Sequence, residues 1–160
     1  MNLQTRLLVP ALALASSITL AAAGAPPVQL VAAPDSPVRL ESLKVINADA
    51  DPLVLLYAAT NPGDSAIDTF TVTAYVFDAD GRLKARQVAP ARRGLAAHET
   101  KYSAMVLDVG KIEATDTLMA GVDQVQRVGS EAWWRADLRA IAEAAVDARR
   151  GAAAKSPPRK

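Results

Sequence analysis

One histidine and no cysteine limit the chemistry open to this 160-residue chain. A Ser-His-Asp arrangement is recognised by geometry, and Ser and Asp are too common here for their presence to count. His98 lies in a polar stretch expected to be a loop, so it reads as a solvated side chain. Thioether and imidazole ligands suit copper, and His98 with Met105 and Met119 would be the set. Both methionines fall inside apolar segments, however, where filling the core is their ordinary task. Asp78-Ala79-Asp80-Gly81 brings two carboxylates together. A calcium loop needs roughly six to eight oxygens and a distal acid beyond its glycine, whereas Arg82, Leu83 and Lys84 follow here. That stretch is expected to be a hairpin turn. No Asp/Glu pair stands out as the couple of a glycoside hydrolase. The expectation is a protein with no cofactor, no metal and no enzymatic activity.

The basic residues are more informative. Arg82, Lys84 and Arg86 alternate, which places them on one face of a strand, and Arg92 and Arg93 follow Pro90. Five positive charges so close together could meet an acidic partner, phosphate headgroups or a polyanion. The same residues also suit an edge strand that carries Lys and Arg to prevent edge-to-edge aggregation. A nucleic-acid partner is not expected, because the chain is nearly neutral and has few aromatics to stack bases. Trp133-Trp134 concentrates apolar area. Adjacent strand residues point to opposite faces, so one ring enters the core and the other turns outward. The outward ring is expected to be a platform for the C-terminal helix, with a ligand groove as the alternative. Trp134 joins Arg82, Lys84, Arg86, Arg92 and Arg93 as the candidate partner-binding set.

Several segments must position these residues. Residues 1–23 read as a secretory signal peptide: Arg6 supplies the positive charge, 7–20 are mostly apolar, and Ala21-Ala22-Ala23-Gly24 offers small residues for cleavage after Ala23. The apolar run is too short to anchor stably in a membrane, which takes about 20 residues. Without cysteine there is neither a disulfide nor a lipid-modified cysteine. The expected location is periplasmic or extracellular. What remains is about one domain, long enough to bury a real core. Its charge is uneven: residues 25–134 hold ten Lys/Arg against fourteen Asp/Glu, and residues 135–160 hold seven against three.

Residues 24–37 are rich in Pro and Ala and read as an extended leader. Residues 67–78 alternate Phe70, Val72, Ala74 and Val76 with Thr69, Thr71, Thr73 and Tyr75, the pattern of a strand. Residues 82–89 are the expected return strand. Residues 53–60 are apolar at both parities, as for a central strand buried on both faces, and Asn61-Pro62-Gly63-Asp64 fits a type II turn. Residues 38–46 change phase near Ser42, which predicts a bulge. Residues 100–107 and 117–128 add two strands, the second shifting phase between Val122 and Val125, and 132–135 is a short last one. The fold class is therefore all-β, an antiparallel Ig-like β-sandwich of about seven strands over residues 38–135, with one C-terminal α-helix. The helix spans 136–150, with Leu138, Ile141, Ala142, Ala145 and Val146 on one face and Gly151 as its stop. Residues 151–160 are expected to be a disordered basic tail.

The order from Asn61 through Phe77-Asp78-Ala79-Asp80-Gly81 and a basic return strand to Leu95, Glu99 and Thr100 resembles bacterial exported Ig-like or fibronectin-III-like domains of the FxLYD type. Ala97-His98 stands where that group usually has Pro-Gly, and its Leu-Tyr-Asp signature is missing. The resemblance implies the sandwich and a non-catalytic accessory or binding role with an envelope protein as partner. The alternative is a small-ligand-binding protein or a hydrolytic enzyme with a shallow site near Trp133 and Trp134. Nothing in the pattern sets the oligomeric state.

Overall fold

Alternation of apolar and β-favouring residues makes Ile67–Phe77 (β4) a full-length strand, and the larger of two sheets is built around it. The computed structural model of the chain describes residues 28–46 and 52–155. The expected signal peptide and residues 156–160 lie outside that range. The other strands are β1 (Val28–Leu30), β2 (Arg39–Ile46), β3 (Leu53–Thr60), β5 (Leu83–Val88), β6 (Arg92–Leu95), β7 (Thr100–Leu107), β8 (Thr117–Arg127) and β9 (Trp133–Arg135). One helix, α1 (Leu138–Lys155), closes the described chain. The larger sheet runs β1-β8-β4-β5, with β6 beside β4 and β9 beside β8; the smaller runs β2-β3-β7. Every pairing is antiparallel except that of β1 with β8.

The sheets share one hydrophobic core, an arrangement that fits a β-sandwich. Phe70, Val72, Ala74 and Val76 of β4 face inward together with Leu55 and Tyr57 of β3 and Met105 and Leu107 of β7. The opposite face of β4 is buried as well. Tyr75 and Phe77, with Met119 and Val31, form a second cluster under Leu138, Ala142 and Val146 of α1. These three helix residues recur every four positions, so one stripe of α1 faces the sheet. Gly121 of β8 lets the helix come this close. A Cβ there would stand 2.9 and 3.1 Å from the Leu138 methyls and well inside 3.0 Å of the Val31 carbonyl oxygen.

Both predicted phase shifts are present. The β2–β3 register slips between Leu40 and Ser42. On β8, Val122 and Val125 both point inward because the register with β4 slips between Thr71 and Val72, leaving Asp123 in the bulge. Other expectations are corrected. Nine strands are present among the described residues instead of about seven, the extra ones being β1 and β6. The 24–37 leader is partly a packed element: β1 pairs with β8, and Val31 and Ala33 are buried. Gly151 does not stop α1, which continues to Lys155; one interior glycine costs about 1 kcal/mol, and the alanines after it sustain the helix. Gly63 does not adopt the left-handed φ of a type II turn. Asn61 builds the turn instead, its Oδ1 accepting the Gly63 N–H at 3.1 Å. Buried beneath the loop, its Nδ2 donates to the carbonyls of Ser65 and Ala96 at 2.9 and 3.0 Å.

Candidate functional site

The basic residues of 82–93 do not form one patch. β5 and β6 do lie at an edge of the larger sheet, where Lys and Arg are protective. Simple alternation would align Arg82, Lys84 and Arg86, but the β4–β5 register slips between Val76 and Phe77. Leu83 therefore packs on the helix side and Ala85 in the inter-sheet core, with Lys84 in the bulge between them.

Most of these charges are engaged within the chain. Arg82 makes an exposed pair with Asp80 at 3.3 Å, a contact worth about 0–1 kcal/mol. Lys84 Nζ donates to Asp116 Oδ2 at 2.7 Å, and that buried carboxylate also accepts the Glu113 N–H. The bond to Asp116 raises the Lys84 pKa above its usual 10.5. Arg86 lies 3.7 Å from Asp123 Oδ2, while Thr71 Oγ1 donates to Asp123 Oδ1 at 2.6 Å. Arg92 crosses to the smaller sheet, its Nε donating to the Tyr57 hydroxyl at 3.3 Å and its Nη2 to the Ala104 carbonyl. Arg93 alone has no ion pair or side-chain hydrogen bond among the described residues.

Arg92 and Gln87 together guard the free edge of β7. Gln87 Nε2 donates to the Val106 carbonyl, and its Oε1 accepts the Asp108 N–H, both at 2.8 Å. With Ala104 held by Arg92, outward backbone groups of β7 that would otherwise recruit another strand are occupied.

The outward tryptophan is Trp133, which is 38% exposed. Trp134 sits opposite Val125, an inward residue, and is half-buried against the inter-sheet core. Trp134, the indole of the candidate binding set, is thus the inner ring of the pair. Neither indole is the platform of α1; Tyr75, Phe77 and Met119 are. His98 turns the chain between β6 and β7 with a φ of 58° and lies 2.9 Å from Asp64, both side chains exposed. Met105 is in the inter-sheet core and Met119 lies under α1, so the three residues of the copper reading do not meet. Among the described residues no group of three or more His, Asp or Glu is placed to hold a metal ion.

The surface left over is apolar. Leu55, Tyr57, Met105 and Leu107 of the smaller sheet point inward, so the alternate residues form its outer face. Cross-strand rows run Ile46-Val54-Val106, then Lys44-Leu56-Ala104, then Ala58-Tyr102. A last row is Thr60 and Thr100, whose hydroxyls are 2.6 Å apart. Tyr102 is 84% exposed, Val106 48% and Leu56 36%. Lys44, Leu56, Tyr102 and Ala104 line a shallow hollow of about 490 Å³. No element among the described residues covers this face, whereas α1 covers the outer face of the larger sheet. The double-parity apolar pattern of residues 53–60 is the sequence signal for it; β3 is central as expected, but on its outer face Ala58 is buried while Leu56 is exposed.

No helix among the described residues is long and apolar enough to cross a membrane. Comparison with known protein families, characterised proteins and solved structures finds no match.

Proposed function

We propose that this chain is an exported, non-enzymatic docking module of the cell envelope, and that its docking surface is the outer face of the β2-β3-β7 sheet. The reading takes export from the signal-peptide pattern of residues 1–23 and takes the two-sheet architecture as Ig-like. The observation that carries it is the uncovered apolar face of Leu56, Tyr102 and Val106. Three strands at about 4.8 Å spacing set the outer strand axes about 10 Å apart, and the rows extend roughly 20 Å. A stable dimer wants about 800 Å² per partner, more than this face offers by itself. Its width instead matches an α-helix of about 10–12 Å. The occupant is therefore an amphipathic helix of an envelope protein, with an acidic residue beside its apolar stripe to meet Lys44. Helix-on-sheet packing of this kind already covers the larger sheet.

Affinity isolation from an envelope extract tests the reading. Wild type is compared with the pair Tyr102→Ala/Val106→Ser and with charge reversal at Arg82, Lys84 and Arg86. A partner retained by the charge-reversed protein and lost by the Tyr102/Val106 variant is expected. Equal retention by all three, or no partner in any, refutes it.

A further inference from the structure

A second recessed surface lies on the opposite side of the molecule, where α1 begins. It holds about 300 Å³ and is lined by Tyr75 of β4, Arg86 of β5, Asp123 of β8, Arg135 of β9, and Asp137 and Arg139 at the start of the helix. We propose that this cleft binds a carboxylate monoanion, with Arg135 as its principal partner and Arg86, Arg139 and the Tyr75 hydroxyl in support.

Three arginines from three separate elements line the cleft, with two aspartates among them. Both carboxylates have structural duties. Asp123 accepts from Thr71 at 2.6 Å and pairs with Arg86 at 3.7 Å. Asp137 caps the helix, its Oδ1 accepting the Ala140 N–H at 3.1 Å. Arg139 is held along the helix by Glu143 at 2.8 Å. Arg135 has no ion pair or side-chain hydrogen bond among the described residues. Glu143 and the two aspartates balance the three arginines overall, and of the three Arg135 alone has no carboxylate paired with it. A planar guanidinium matches a carboxylate through two parallel hydrogen bonds.

A single negative charge is favoured over two, because a phosphate dianion would also confront Asp123 and Asp137. Burial raises the Tyr75 phenol above its usual value, partly opposed by the nearby Arg86 guanidinium, so the hydroxyl stays a donor at neutral pH. The ligand is a small carboxylic acid or the free C-terminus of a peptide, which present the same chemistry. This inference does not depend on the docking face of the smaller sheet, which lies on the other side of the sandwich.

Isotope-labelled protein is titrated at pH 7 and constant ionic strength with acetate, with inorganic phosphate, and with trialanine carrying a free or an amidated C-terminus. Nuclear magnetic resonance reads the side-chain N–H signals of Arg86, Arg135 and Arg139. Saturable shifts of these three signals with acetate or free trialanine, and none with amidated trialanine, are expected. Arg135→Gln should weaken the affinity at least tenfold with the remaining spectrum unchanged. Arg93→Gln removes the same charge elsewhere and should leave it unchanged. Acetate binding without trialanine binding assigns a small acid, and tighter trialanine binding assigns a peptide terminus. Shifts that do not saturate, tighter binding of phosphate than of acetate, or equal affinity after Arg135→Gln overturns the proposal.

Discussion

Gly121→Ala tests the packing of α1 on the larger sheet at its tightest point. The added Cβ would lie 2.9 Å from one Leu138 methyl, so Leu138 must retreat by about 0.5 Å to reach the 3.4 Å of ordinary contact. The Val31 carbonyl must retreat further, and it has little freedom: the Val31 N–H is fixed to the Ala120 carbonyl at 2.9 Å. Overpacking of this kind costs about 1–3 kcal/mol. Losing the Val31 hydrogen bond adds about 0.5–1.5 kcal/mol. Together the expected destabilisation is about 1.5–4.5 kcal/mol. Urea unfolding followed by tryptophan fluorescence measures it, since Trp134 is half-buried against the inter-sheet core. A change below about 0.5 kcal/mol, the range of neutral surface substitutions, would refute the close approach of helix, β1–β2 connection and β8.

Three further outcomes are expected. Asn61→Ala strands the Ser65 and Ala96 carbonyls and the Gly63 N–H, and should cost about 2–4 kcal/mol at roughly 1 kcal/mol or more for each lost bond; a loss under about 1 kcal/mol in the same urea assay contradicts that role. Gly151→Ala, in open space within α1, should stabilise by about 0.5–1 kcal/mol, and a lower thermal midpoint would show that the helix ends before it. Burial holds the Tyr75 phenol, and Asp116 holds the Lys84 ammonium, above their usual 10.0 and 10.5. Each group binds its proton more tightly when folded, so its contribution is complete below about pH 10 and is lost as pH rises through the folded value. Stability should thus fall above about pH 10, less steeply in Tyr75→Phe, and a rise there would contradict both environments.

The sheet strands were legible because each phase of their pattern matches a face. Phe70, Val72, Ala74 and Val76 point to one core, and the shifts at Ser42 and Val122 show which residues bulge. β1 was not legible: three residues are too few to show a period, prolines lie nearby on both sides, and its partner β8 is about ninety residues away in sequence. Local sequence points to a tryptophan as the helix platform because burial of Tyr75 and Phe77 on the second face of β4 depends on a helix more than sixty residues later. The basic strip looked continuous because a one-residue bulge at Lys84 leaves no trace in a run of alternating charges. Its acidic partners, Asp116 and Asp123, are likewise distant in sequence. The apolar outer face was visible in residues 53–60, but alternation cannot tell a covered face from a bare one.

Photo-cross-linking in intact cells tests the docking face most directly. A photoreactive amino acid replaces Tyr102 on the smaller sheet, and in a parallel strain Ala144, exposed on the far side of α1. A discrete adduct from position 102 and none from 144, with cross-linked partner residues spaced three and four apart, is the predicted result. No adduct at 102, or the same adducts from both positions, contradicts the account.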